Sequence, residues 1–168
     1  MIYLDNSATT YPKPQGVRQA VQRAFTDFGA NPGRSGYGMC LRTTQAVYQV
    51  RQQVAEFFGA PGPECVLFQP SCTQALNVVL KGFLKPGDHV VITDLEHNAV
   101  TRPLEALKAR GVTYTVAKVT PGDNDATVNA FRQAIGPKTR LAVCTMASNV
   151  FGIRVPVERI AALCHQYD

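Results

Sequence analysis

Hydrophobic residues recur with two different periods along this chain. Val17, Ala20, Val21, Ala24, Phe25 and Phe28 return every three or four residues, which is one face of a helix. Val47, Val50, Val54, Phe57 and Phe58 form a second helical stripe that stops at Gly59, with Pro61 and Pro63 beyond it. Between these helices lies Gly29-Ala-Asn-Pro-Gly-Arg-Ser-Gly-Tyr-Gly, where four glycines and one proline in ten residues forbid a regular element. Ile2 to Leu4 reads as a short strand at the start.

Further along, the pattern alternates strand and helix. Strands are expected at Cys65–Phe68, His89–Thr93, Val112–Val116 and Leu141–Met146. Helices are expected at Ser71–Gly82, with Ala75, Leu76, Val79 and Leu80 facing inward, and at Asn98–Arg110, ending at Gly111. A third is expected at Asp125–Ile135, and a last one is marked by Val157, Ile160, Ala161 and Cys164. Strands separated by helices of this length imply βαβ units. The fold class is therefore α/β, a mostly parallel sheet with helices on both faces. Residues 1–60 read as an N-terminal arm with helices, and residues 61–168 as the first part of the α/β domain. The last helix runs to the end with no strand after it, so the chain is expected to be the front part of a larger protein.

Composition narrows the class. The chain has 168 residues, 45% of them hydrophobic and 17% charged, which suits a globular fold with a real core. No apolar run reaches the ~18–20 residues of a membrane span. The N-terminus lacks a basic start and an apolar signal core, so a cytoplasmic location is expected. Five scattered cysteines without a CxxC pair read as free thiols in a reducing compartment, not as a metal or disulfide framework. The net charge of +5 is not clustered, and no nucleic-acid motif accompanies it. An anionic small ligand fits that charge equally well.

In an open parallel sheet, ligands gather beyond the carboxyl ends of the strands. Three polar corners fall there: Gln69–Gln74, Asp94–Asn98 and Ala147–Gly152. Ser71-Cys72-Thr73 opens a helix, where free amides and the positive dipole end suit a phosphate. Ser71 with Gln74 three residues later is also an ordinary capping pattern. His97 is either a turn or cap residue, or an imidazole that stacks on a flat ring or moves protons. Asn149 either holds its own loop or donates to a ligand oxygen. Walker, GxGxxG, HExxH and GxSxG patterns are lacking, so a nucleotide-binding βαβ protein has little support.

Several segments together resemble one family. Leu4-Asp-Asn-Ser-Ala-Thr-Thr-Tyr-Pro-Lys-Pro and Asn31-Pro-Gly-Arg-Ser-Gly-Tyr-Gly resemble the opening of class V aminotransferases of the cysteine desulfurase group. Ser71-Cys-Thr-Gln-Ala-Leu-Asn77, Glu96-His-Asn-Ala-Val100 and Ser148-Asn-Val-Phe-Gly152 are similar to three further motifs of that group, in the same order. The resemblance implies a fold type I enzyme that uses pyridoxal 5'-phosphate (PLP), with this chain as the first part of its large domain.

Carried over motif by motif, the resemblance implies roles for six residues. Cys72 and Thr73 would hold the cofactor phosphate. His97 would stack on the pyridine ring as the one catalytic residue in this segment. Asn149 would bond the phenolic oxygen or the substrate carboxylate region, and Ser7 and Ala8 would line the substrate end. Cys72 and Gln74 depart from the usual Ala/Ser and Glu of the phosphate motif. The implied reaction takes cysteine to alanine plus protein-bound sulfur, in a homodimer that passes sulfur to an acceptor protein.

The family's Schiff-base lysine stands in a Ser-x-His-Lys segment, and none of the six lysines here does. The chain alone is therefore expected to be inactive. Another class V aminotransferase, a selenocysteine lyase, or a catalytically dead interaction module are the alternatives.

Overall fold

The computed structural model describes residues 2–33 and 36–167. Arg34 and Ser35 of the glycine-rich loop lie outside the described residues, as do Met1 and Asp168. The chain divides into two compact units, one ending at Phe68 and the other beginning at Gln69.

The first unit carries α1 (Gln15–Asp27) and α2 (Gly38–Phe58). Both helical stripes read from the sequence are present. Gly59 ends α2 in the left-handed region at φ 65°, and its amide returns to Ala55 and Glu56. That backbone favours glycine because it lacks a Cβ. Two expected strands are not formed. Ile2 and Leu4 are 87% and 88% exposed, and Tyr3 instead closes the segment by donating its hydroxyl to the Thr9 carbonyl at 2.9 Å. Pro63–Cys65 makes one 3-10 turn, and Val66–Phe68 continues irregularly with Leu67 and Phe68 exposed. Apolar character alone does not make a strand; a neighbour must take its backbone groups.

The second unit follows the alternation: α3 (Cys72–Phe83), β1 (His89–Thr93), α4 (Asn98–Lys108), β2 (Thr113–Ala117), α5 (Asn124–Ala134), β3 (Thr139–Val143) and α6 (Val157–Cys164). The three strands are parallel in the order β2-β1-β3. β3 begins two residues before the expected start, where Thr139 pairs with His89. It ends at Val143, and the chain then turns into an antiparallel bridge between Ala147 and Arg154.

The crossover from β1 to β2 runs one way across the sheet, and that from β2 to β3 runs back past β1. Two right-handed crossovers in opposite directions put their helices on opposite faces. The core shows this division. Val90 and Ile92 of β1 pack with Leu80 of α3 and with Val100, Leu104 and Leu107 of α4. Val91 faces the other way, with Val128 and Phe131 of α5 and Ile160 and Leu163 of α6. Each such side chain contributes roughly 1.5–3 kcal/mol when fully buried. The exposed pairs Lys108–Glu105 and Arg159–Asp125 matter little beside that. One expected inward residue, Val79, is half exposed; α3 packs chiefly against α4 and buries only Leu80.

At the amino end of the sheet, His89 ties all three strands. Its Nδ1 lies 2.8 Å from Thr139 Oγ1 of β3, and its Nε2 lies 2.9 Å from Thr115 Oγ1 of β2. Partial burial pushes its pKa down, which favours the neutral ring. Among the described residues, no helix is long and apolar enough to cross a membrane.

Candidate functional site

The N-terminus of α3 forms because Ser71 is extended and caps it. Ser71 Oγ accepts the Gln74 N–H at 3.2 Å, and the Ser71 carbonyl accepts the Ala75 N–H at 3.0 Å. Cys72 and Thr73 are the first two helical residues, so their amides precede the first intrahelical bond and sit at the positive end of the dipole. Both residues are exposed. Capping and anion binding are therefore compatible here: Ser71 takes one amide and leaves the Cys72 and Thr73 amides available.

His97 follows β1 and caps α4. Its Nδ1 accepts the Ala99 N–H at 3.0 Å, so a neutral ring carries its proton on Nε2. The bond fixes the ring at the helix start while the residue stays exposed.

Thr73 and His97 line one groove of about 460 Å³ between α3 and α4. Asn77, Lys81 and Arg102 line it too, and no carboxylate is among its described lining residues. Asn77 Nδ2 donates to the Thr73 carbonyl at 2.9 Å. Two helix N-termini and two cations make the groove a place for an anion.

Asn149 lies outside that groove, exposed in a turn after β3. The buried Ser148 shapes the turn: its Oγ accepts the amides of Val150 and Phe151 at 3.4 and 3.2 Å. Gly152 completes it at φ 66°, donating its amide to the Ser148 carbonyl at 2.9 Å. Because β1 and β3 are parallel, the segments carrying His97 and Asn149 leave the same edge of the sheet.

Two acids after β1 tie the strand exits together. Asp94 Oδ1 accepts the Val119 N–H beyond β2 at 2.9 Å. Glu96 Oε1 accepts the Thr93 hydroxyl at 2.6 Å and the Thr145 N–H beyond β3 at 2.7 Å. The sequence reading gave neither acid a role. The available signal was their place directly after an apolar strand, where a carboxylate meets the amides leaving its neighbours.

Ser7 and Ala8 belong to the first unit, on an exposed turn closed by the Ala8 amide donating to the Asp5 carbonyl at 3.2 Å. Cys144, at the end of β3, has its thiol pushed up to about 11 by burial first and then by the charges of Glu96 and Cys164. Burial also raises Cys164. Neither thiol has the lowered pKa of an activated nucleophile.

A flat cofactor with a phosphate fits these residues. The α3 amides and Thr73 hydroxyl suit the phosphate, the fixed imidazole suits a ring, and the groove's cations suit the negative charge. The aminotransferase class-V family profile matches residues 2–168. A probable cysteine desulfurase of Mycolicibacterium paratuberculosis is 34% identical over 173 residues, covering 99% of this chain and 25% of the relative. The apo structure of the cysteine desulfurase from Thermococcus onnurineus NA1 superposes with a TM-score of 0.85 at 25% identity, covering 98% of this chain and 41% of that one. A C-DES mutant with glycine covalently linked to its PLP cofactor superposes with a TM-score of 0.75 at 25% identity, covering 92% and 40%. Matched curated relatives have 25% to 42% of their length spanned by this chain.

Proposed function

The chain belongs to the class V aminotransferase family, whose cofactor is PLP, and from that premise we propose that it is the N-terminal, cofactor-cradling part of a cysteine desulfurase. One observation carries the reading: Thr73, at the start of α3, and His97, at the start of α4, line a single cationic groove. Cys72 and Thr73 hold the phosphate through amides and a hydroxyl. His97 supports the ring, with Nδ1 engaged by Ala99 and Nε2 carrying the proton. Asn149 donates to the phenolic oxygen from the neighbouring corner. When bound, PLP supplies an electron sink for bonds at the substrate's α-carbon.

The finer parts of this reading go with the family. The substrate is cysteine, Ser7 and Ala8 meet it, and sulfur leaves on the protein for an acceptor protein. The complete enzyme is a cytoplasmic homodimer, and residues 61–168 begin its PLP-binding domain. No lysine here stands in a Ser-x-His-Lys segment, so this chain alone turns over little or no cysteine.

Titration of the full 168-residue chain with PLP, followed by absorbance and by cofactor fluorescence, tests the reading. Saturable binding is expected, weakened about tenfold or more by Thr73→Ala and by His97→Ala. Absence of saturable binding, or both variants binding as the parent does, would overturn it.

A further inference from the structure

We propose that Glu96 is a positioning residue: its carboxylate locks the His97 corner to the segment leaving β3 toward Asn149, so that the two corners hold one geometry. The inference rests on the reading of those corners as cofactor-facing, but its core is visible in the chain itself. Glu96 Oε1 takes two donors from two different strands' ends, the Thr93 hydroxyl of β1 at 2.6 Å and the Thr145 amide beyond β3 at 2.7 Å. Bonds to a carboxylate are charge-assisted and among the stronger ones. Thr93 is 1% exposed, and its Oγ1 also accepts the Leu95 N–H at 3.2 Å, which shapes the turn that presents His97.

The brace sits where the ladder no longer acts. β1 pairs with β3 through Ile92 and Val143, and both strands end within one residue of those positions. Beyond them, Glu96 joins segments 49 residues apart in sequence. Each segment carries an exposed polar side chain a few residues on, His97 in one case and Asn149 in the other. A half-buried carboxylate is costly unless donors surround it, so its bonds hold both segments in register. The raised pKa of the adjacent Cys144 thiol, to which the Glu96 charge contributes, agrees with this placement.

The test uses the full chain with Glu96→Ala, Glu96→Gln and Thr93→Val. Amide hydrogen exchange is read at Thr145 and at Val91 in the centre of β1, and PLP affinity is measured alongside. For Glu96→Ala, exchange at Thr145 is expected to quicken about tenfold while Val91 keeps its protection, and PLP affinity to fall about fivefold to tenfold. Glu96→Gln retains an acceptor oxygen and is expected to restore most of both.

Parent-like protection of Thr145 in Glu96→Ala would overturn the proposal. So would parent-like affinity in Glu96→Ala when His97→Ala binds weakly, or a glutamine variant as impaired as alanine. If Val91 loses protection equally in Glu96→Ala, Thr93→Val decides. About threefold faster exchange at Thr145 alone is then expected, and no change overturns the brace. If the parent chain does not bind PLP, the functional reading fails, and Thr145 exchange by itself decides whether Glu96 braces the two exits.

Discussion

The two units use the same kind of helix and obtain different results from it. In the second unit, the stripes of α4 and α5 meet opposite faces of the sheet, while α3 buries only Leu80. α4 buries five residues, among them Val100, Leu104 and Leu107, and α5 buries Phe131 completely. In the first unit, α1 buries no residue and α2 buries only Cys40, Thr43 and Ala55. Phe25 of α1 is 79% exposed, and Phe57 of α2 is 82% exposed. Periodicity therefore predicts that a helix exists and which face is apolar. Burial belongs to a pair of surfaces, and only the second unit contains both members. Apolar stripes left this open are the kind of surface that proteins use for partners.

The largest test of this contrast removes one phenyl ring from each unit. Phe131→Ala is expected to cost about 3–5 kcal/mol in urea unfolding, because it empties a closed site against Val91 and Ile160. Phe25→Ala is expected to stay within about 0.5 kcal/mol, since its ring already faces water. Comparable losses at both positions would mean that the first unit's stripe is covered in solution, and the contrast would fall.

Thiol chemistry draws a second contrast, between exposed and buried positions within the chain. Cys65 and Cys72 are exposed, whereas Cys144 is held at about 11 by burial and nearby charge. A thiol raised from 9 to about 11 exposes its thiolate roughly a hundredfold less often at pH 8. Alkylation followed by peptide mapping should therefore modify Cys65 and Cys72 well before Cys144. The linkage runs in a definite direction. Between pH 9 and about 11 the unfolded thiol gives up its proton while the folded one keeps it, so stability falls as pH rises through that window. Equal labelling of Cys144 and Cys72 at pH 8 would show that the end of β3 is open.

The elements of the second unit were legible because local signals and long-range packing agree there. Ser71 and Gly111 bound helices, and Val90, Val91 and Ile92 form an apolar run, as expected for a strand covered on both faces. Cys65–Phe68 misled because its apolar run gives no information about a neighbouring strand, and the three-stranded sheet does not include it. At the site, Thr73 and His97 could be named from their places at element ends, and the structure puts both in one groove. The work of Glu96 and Asp94 was not legible. Their partners, Thr145 and Val119, lie 49 and 25 residues away, and nothing local marks an amide that will leave its ladder unpaired.

A smaller effect is expected from the caps. Asp123 Oδ1 accepts the Ala126 N–H at 2.9 Å and starts α5, and Asp123→Ala should cost about 1 kcal/mol by thermal or urea unfolding. α1 begins after Pro14 with no side-chain cap, so its start has no such bond to lose. In the second unit α3, α4 and α5 each start on a side-chain cap, whereas α6 does not. If Asp123→Ala changed nothing, packing alone would be fixing α5.

The smallest expected effect is the most direct probe of the open stripe. Val21 sits in the middle of α1, half exposed, with Val17 and Phe25 one turn to either side. Val21→Glu removes a β-branched residue from a helix and adds a better helix former, placed three residues after Arg18 where opposite charges attract. If the stripe touches nothing, these terms leave stability unchanged or raised by no more than about 0.5 kcal/mol. Binding of a fluorescent apolar dye should fall at the same time, because a carboxylate interrupts the patch. If the stripe is instead covered by another surface, the same change buries a charge without a partner, and a loss well above 1 kcal/mol follows. The sign and size of this one substitution therefore separate a helix waiting for its second surface from one that already has it.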